Sequence, residues 1–291
     1  MTDSWHIGVI GGTGLYDAGI LENSQEIAVK SAFGNPSGSV VTGTIGSTRF
    51  TFLARHGTGH ELPPGAINYR ANVDVLKRCN VTDLVSISAI GSLREELRPG
   101  TFVMVDQMID RTIARDRSFF GEGLVAHVSL ADPVCSRLSA MVGEAAQRAG
   151  ADVHSGGCYV AIEGPQFSTR AESQMYRQWG GDVIGMTAMP EARLAREAEL
   201  PYALLAMVTD YDCWQDDEDG VGVEEILAVM DGNADKARGA LAALAALLPE
   251  TRAPSPIDTA LDGAIITSAE QRNPVLVAKL SAVAGRVLGR G

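Results

Sequence analysis

The sequence predicts an α/β fold with a single central mixed or parallel sheet flanked by helices. Three observations carry this. Apolar runs such as Leu84–Ile90 and Tyr202–Val208 are continuous rather than alternating, as in strands buried on both faces. Segments with helical spacing fall between such runs, in a mostly strand, helix, strand, helix order. Glycine or paired polar residues follow several runs directly, the place where open α/β sheets bind ligands.

Taken in order, Ile7–Gly11 is a short strand entering the turn Gly11-Gly-Thr-Gly14. Strands are expected at Glu26–Lys30, Ser39–Ile45 and Arg49–Ala54, with Gly46-Ser47 turning a hairpin. Asn68–Cys79 has helical spacing, with Ala71, Val75 and Leu76 on one face. Leu84–Ile90 and Phe102–Ile109 read as strands. Asp132–Gly150 is a helix striped by Val134, Leu138, Met141, Val142 and Ala145 and stopped by Gly150. A strand at Tyr159–Ile162, a helix at Thr169–Trp179 and a short strand at Asp182–Met186 follow. Pro190–Glu199 is a helix opened by its proline, and Val223–Leu248 a long one rich in Ala and Leu. The linker-like Pro249–Pro256 separates a main unit, 1–250, from an extension, 251–291. Val275–Leu288 repeats apolar residues at helical spacing but is too small to fold alone. It is expected to dock on the main body or on a neighbouring subunit.

The chain has 291 residues, 45% apolar and 21% charged, enough for a substantial core. A formal net charge of -12 argues against nucleic acid and anionic membrane as partners. An anionic ligand must then be held in a local pocket. Cys79, Cys135, Cys158 and Cys213 show no CxxC spacing and read as small buried hydrophobes in a reducing compartment. No signal peptide and no run of membrane-spanning length is visible, so a cytoplasmic protein is expected.

The most informative motif is Val208-Thr-Asp-Tyr-Asp-Cys-Trp214, where an apolar run ends in Asp210 and Asp212. Residues i and i+2 of an extended chain point the same way, so both carboxylates would face one pocket. A carboxylate accepts from an amino group and, when protonated, can give a proton to a ring nitrogen. That suits an aminopurine; a solvated loop at a strand end is the plainer alternative, and a metal pair lacks a nearby His. Gly11-Gly-Thr-Gly14 can cradle an anion through backbone N–H groups and Thr13, or simply turn the chain. Its spacing matches neither the dinucleotide fingerprint nor a P-loop, which disfavours an NAD-linked oxidoreductase. Arg55-His56 after a strand suits phosphate as well as it suits a surface pair. Ser88-Ala89 and Gly91-Ser92, Met186-Thr187, and Ile162-Glu-Gly-Pro-Gln-Phe-Ser168 also follow strands, the last offering Phe167 to stack on a base. Each alone is usually structural. Their shared position raises one composite site. His127 is sequence-distant from them and reads by default as a core or surface histidine.

Ile10-Gly-Gly-Thr-Gly-Leu15, Arg55-His-Gly57, Gly91-Ser-Leu-Arg-Glu95, Ile162–Ser168, Arg170-Ala-Glu172 and Thr209-Asp-Tyr-Asp-Cys-Trp214 together resemble the trimeric purine nucleoside phosphorylase family, over about Ile7 to Leu248. The likeness is to members that cleave S-methyl-5'-thioadenosine. It implies a single α/β domain assembling as a homotrimer, and a pentosyltransferase of purine and methionine salvage. With inorganic phosphate as co-substrate and no other cofactor or metal, it would release adenine and 5-methylthioribose 1-phosphate. By the resemblance, Thr13, Arg55, His56, Ser88, Ala89 and Thr187 hold phosphate, Met186 lies by the ribose, and Phe167 and Ser168 lie by the base. Asp210 and Asp212 face N7 and the amino group as the catalytic pair, Val223 lines the methylthio pocket, and His127 reaches into a neighbour's site. Two positions depart from the family pattern. Gly185 stands where Asn often precedes Met-Thr, as in relatives acting on 6-oxopurines, and Ser88 stands for Thr. Asp210 points back to 6-aminopurines, since 6-oxopurine enzymes tend to carry Asn there. A 6-oxopurine nucleoside or methylthioinosine phosphorylase is the alternative enzyme, and a nucleoside-binding protein the non-enzyme one.

Overall fold

The computed structural model describes residues 4–12, 18–215 and 223–289, the side chains of 18, 223–228 and 231 excepted. In chain order its elements are β1 (His6–Gly11), β2 (Glu22–Ile27), β3 (Val40–Ile45), β4 (Thr48–Ala54), α1 (Tyr69–Arg78), β5 (Asp83–Ser92), β6 (Thr101–Met104) and β7 (Gln107–Asp110). Then come α2 (Ser136–Arg148), β8 (Asp152–Ser155), β9 (Cys158–Ala161), α3 (Arg170–Gln178), β10 (Val183–Gly185), α4 (Ala188–Glu197), β11 (Tyr202–Tyr211), α5 (Val223–Leu247), α6 (Pro274–Lys279) and α7 (Gly285–Leu288).

The strands form one mixed sheet that forks at β5. On one side β5 pairs in parallel with β1, which leads through β4 and β3 to β2. On the other, β5 pairs in parallel with β11 and antiparallel with β10. The β11 branch runs on to β6 and β8, the β10 branch to β9 and β7. The expected single strand Phe102–Ile109 is therefore two. At Val105-Asp106 the chain leaves one branch and joins the other, and Asp106 accepts from Gly157 N–H beside the break. β8 carries no apolar run and was not legible from periodicity. The expected Glu26–Lys30 strand is displaced to Glu22–Ile27, an exposed edge strand.

Local chemistry sets the other boundaries. Gly46 takes a left-handed φ of +57° in the two-residue loop between β3 and β4. Asn68 caps α1 by accepting from Ala71 N–H. Thr169 and Glu172 make a reciprocal capping box on α3. Residues of α4 begin before Pro190, but Met189 is extended, as the residue ahead of a proline prefers.

The run in β11 is continuous because both faces are covered. Leu204, Ala206 and Val208 pack with α1 and α4 residues such as Val73, Leu76 and Ala192. Ala203, Leu205 and Met207 pack with Leu138 and Val142 of α2 and Leu241 and Leu244 of α5. The C-terminal extension packs on the main body: Leu261, Ala264, Leu280, Val283 and Ala284 enter the first of these cores. Arg252 is ion-paired to Asp83 and Asp258, and Arg286 to Glu199 and Asp262. The expected helix Val275–Leu288 is split into α6 and α7, because the intervening turn drops Leu280 and Val283 into that core. No helix among the described residues is long and apolar enough to cross a membrane.

Beneath the sheet ends lies a buried ion pair. Arg55 Nε donates to Glu191 Oε2 at 2.9 Å and Nη2 to Oε1 at 3.2 Å, each side chain only 1% exposed. Nη2 also donates to Ser86 Oγ and Ile10 O, Nη1 to Ile87 O, and Tyr202 Oη to Glu191 Oε1. Arg55→Ala should strip Glu191 of its cation and destabilise the fold by about 3–5 kcal/mol, the range for breaking a buried pair from one side. Replacing both, Arg55→Met with Glu191→Gln, should recover most of that loss. Denaturant unfolding of the parent and the two variants decides it; equal losses would show that the pair is not coupled.

Candidate active site

The ends of six strands converge on one cavity of about 510 Å³. Gly12 enters after β1, Arg55 and His56 after β4, and Ser88 to Gly91 along the last turn of β5. Ile162, Pro165 and Phe167 follow β9, Gly185 to Thr187 close β10, and Thr209, Asp210 and Asp212 end β11. Nine residues singled out in the sequence thus share the cavity: Arg55, His56, Ser88, Ala89, Phe167, Met186, Thr187, Asp210 and Asp212. Ser168 is not in its wall; its Oγ is buried without a hydrogen-bond partner and its carbonyl accepts from Cys213 Sγ. His127 is exposed and outside the wall, on a loop whose His127 N–H donates to Ala264 O of the extension. Thr13 lies outside the described residues. Val223 begins α5, but its side chain lies outside them too.

At one end stand the two carboxylates. The pairing of β11 with β5 slips between Val208 and Asp210, leaving Thr209 as an extra residue opposite Ile90-Gly91. That bulge turns Asp210 toward Gly91, whose missing side chain makes room: a Cβ there would lie 3.0 Å from Asp210 Oδ1 and 3.5 Å from Asp212 Cβ. Burial pushes Asp210 up to about 6; Thr209 opposes this and Asp212 adds to it. Burial also raises Asp212. Thr209 Oγ1 donates to Asp210 Oδ2 at 2.7 Å and has Ile90 O at 3.2 Å as a second acceptor. When Asp210 is protonated, the hydroxyl can turn to Ile90 O and accept from the acid, so the site holds either charge state. Asp212 Oδ2 is buried with no partner in the protein. The Ser173 hydroxyl opposes the rise of Asp212.

The opposite wall is a cradle of neutral donors. Ser88 Oγ and Thr187 Oγ1 lie 3.2 Å apart, beside Ala89 and Gly12. Thr187 occupies the N-cap of α4 without using its hydroxyl as a cap, which leaves that group for the cavity. His56 Nδ1 lies 2.9 Å from Leu62 O, and a carbonyl only accepts, so Nδ1 carries the proton. Burial pulls the His56 pKa down to about 4, so at neutral pH its Nε2 is a bare acceptor. The His60 ring stacks on it at 4.3 Å. The guanidinium of Arg55 forms part of the wall, but its fork is committed to Glu191 and to carbonyls below. Within the protein that fork is matched by the Glu191 carboxylate.

Two wall-forming contributions were missed. Arg115, its side chain 1% exposed, donates to Met186 O, Met189 O, Glu163 O and Tyr69 Oη and pairs with Glu163. It binds the segment after β9 to the segment after β10. No local pattern marks it, because its carbonyl partners converge only in the folded chain. Met230 brings α5 to the cavity; in sequence it is one apolar residue of a long helix.

The chain matches the model of the phosphorylase superfamily over residues 6–246. It is 55% identical to the S-methyl-5'-thioadenosine phosphorylase of Bradyrhizobium diazoefficiens, over 97% of this chain and 98% of the relative. Its identity to that of Rhodospirillum rubrum is 54%, over 97% of each. Among solved structures, a methylthioadenosine phosphorylase sourced from an antarctic soil metagenomic library superposes with a TM-score of 0.89. That pair shares 42% identity and covers 97% of this chain and 99% of that one. A mutant adenosine/methylthioadenosine phosphorylase from Schistosoma mansoni, solved with methylthioadenosine, gives 0.80 at 33% identity, covering 97% and 98%.

The raised Asp210 has a consequence for pH. The folded state keeps this proton after the unfolded chain has lost it. The contribution is therefore fully present below about 3.8 and lost as pH rises to about 6. A shift of about two units corresponds to at most about 3 kcal/mol. Ligand-free protein should thus lose stability across that window, and Asp210→Asn should flatten the slope. Denaturant midpoints at a series of pH values test it; the same slope in both proteins would mean an ordinary carboxyl.

Proposed function

The chain belongs to the phosphorylase superfamily, and we propose that it splits S-methyl-5'-thioadenosine with inorganic phosphate, giving adenine and 5-methylthioribose 1-phosphate. It is a pentosyltransferase. The observation that carries the reading is the polarity of the cavity: the Asp210 and Asp212 carboxyls, both raised by burial, at one end, and the Ser88–Thr187 hydroxyls at the other.

Phosphate sits against Ser88, Ala89 and Thr187, with His56 Nε2 able to accept from a phosphate hydroxyl. Held there, it faces the anomeric carbon, and its charge stabilises the cation that builds on the ribosyl ring. The C–N bond breaks with its electron pair going to the purine, and a phosphate oxygen forms the new C–O bond. Asp210, raised to about 6 by burial, gives a proton to N7 of the departing base. Asp212, in the same end of the cavity, accepts from the 6-amino group. Phosphate is the nucleophile, so the reaction calls for no organic cofactor or metal. Phe167, half exposed at the mouth, covers the base, and Ile162, Met186 and Met230 offer apolar wall to a methylthio group.

The protein works as a trimer with sites at its subunit interfaces, in the cytoplasm. Supporting this, Ile266 and Val275 stand 63% and 64% exposed beside the loop that carries His127. Sedimentation should give three chains per particle, and His127→Ala should lower nucleoside affinity without dissociating it. A fully active monomer would refute both.

Base preference follows from the carboxylates. An ionised carboxylate accepts from a 6-amino group but meets another acceptor in a 6-oxo group. That mismatch costs about 1–3 kcal/mol, roughly tenfold to a hundredfold in specificity. Methylthioadenosine should therefore outrun methylthioinosine by that factor in kcat/KM; Asp212→Asn should lower the first and narrow the gap, whereas Asp210→Asn, which removes the acid at N7, should lower both. A parent enzyme that already prefers methylthioinosine would reverse the assignment of base while leaving phosphorolysis standing.

A further inference from the structure

Gly185 leaves a slot in the cavity wall that is already filled. A Cβ built on Gly185 would lie 2.2 Å from Tyr159 Oη, 2.8 Å from its Cζ and 3.2 Å from Ile90 Cγ2. Tyr159 is fully buried on β9, opposite Val183 of β10, and its ring lies along the sheet toward the end of β10. At that end its Oη accepts from Thr187 N–H at 3.3 Å. Burial raises the phenol above its ordinary pKa, so it stays a neutral hydroxyl. Thr187 is the residue whose side chain declines the helix cap and pairs with Ser88 instead. Its backbone direction decides where that hydroxyl points. A side chain at 185 would displace the phenol; a glycine admits it.

We propose that Tyr159 is a positioning residue for the phosphate nucleophile: seated in the slot at Gly185, its hydroxyl holds Thr187 N–H and aims the Ser88–Thr187 hydroxyl pair into the cavity. This rests on the phosphorolysis reading. It gives Gly185 a role as the packing partner of Tyr159 and removes it as a reader of the base.

The test varies phosphate and nucleoside separately. Tyr159→Phe keeps the ring and removes the acceptor. It should raise KM for phosphate about tenfold, the size of one lost buried hydrogen bond. KM for methylthioadenosine and the preference for 6-amino over 6-oxo bases should stay within about twofold. An unchanged phosphate KM, an equal rise for both substrates, or a shifted base preference would each overturn the proposal. Gly185→Ala should lower kcat/KM for phosphate at least about tenfold in the parent but far less in a Tyr159→Val background, where the slot is empty. Equal losses in both backgrounds would overturn the shared slot. If the parent releases no purine in a phosphate-dependent way, the phosphorolysis reading falls and this proposal with it. Normal parent turnover with an inert Tyr159→Phe change sinks the proposal alone.

Discussion

The Arg55–Glu191 pair is the constraint around which the site is built. Two opposite charges, each almost wholly removed from water, stay ionised only if every strong partner is in place. Meeting that demand fixes four elements at once. The guanidinium gathers carbonyls from the ends of β1 and β5, the carboxylate comes from α4, and Tyr202 of β11 completes its shell. Gly12, Ser88 and Thr187 extend from those same elements into the cavity wall. A buried pair of this kind adds little to net stability, but it tolerates few alternative arrangements. Its contribution is the geometry of the wall above it.

Arg115 repeats the device on the other flank. Its charge is distributed over the carbonyls of Ile162, Glu163, Met186 and Met189 and balanced by Glu163. Both guanidinium groups donate to carboxylate and carbonyl oxygens of the protein. The Ser88–Thr187 wall is left with hydroxyls and a histidine held neutral by burial. In a chain with a net charge of -12, an anion at that wall would be held by placed hydrogen bonds rather than by long-range attraction. Misplacing one donor is then costly, which is why the backbone of Thr187 matters as much as its hydroxyl.

At the base end the same economy of space appears as a void at Gly91 and a bulge at Thr209. The bulge turns the strand end so that Asp210 and Asp212 enter one pocket. Burial acts on both: Asp210 is pushed up to about 6, and Asp212 is raised too, with the Ser173 hydroxyl opposing. Neither property belongs to the aspartates as residues. Each comes from desolvation by the surrounding strands.

The linear chain was sufficient for the fold class and for most of the cavity wall. Continuous runs such as Tyr202–Val208 can only be strands covered on both faces, and the polar residues that follow such strands must collect at one edge of the sheet. Hence Ser88, Thr187, Asp210 and Asp212 were legible together, because strand periodicity and the rule of strand ends are local properties of sequence. The division of Phe102–Ile109 into β6 and β7, the strand β8 and the inward turn of Arg55 were not. Each depends on partners brought close only by the forked sheet: a second branch for β7, β6 for β8, and Glu191, 136 residues further on, for Arg55. Tyr159 and Gly185 make the same point within a single pair. In sequence one is a strand aromatic and the other a departure from the family pattern; packed side by side, the phenol occupies the volume the glycine lacks. Sequence determines which residues stand at the strand ends. Tertiary structure decides which way their charges and hydroxyls point, because orientation is set by long-range hydrogen bonds and by the space that neighbours leave.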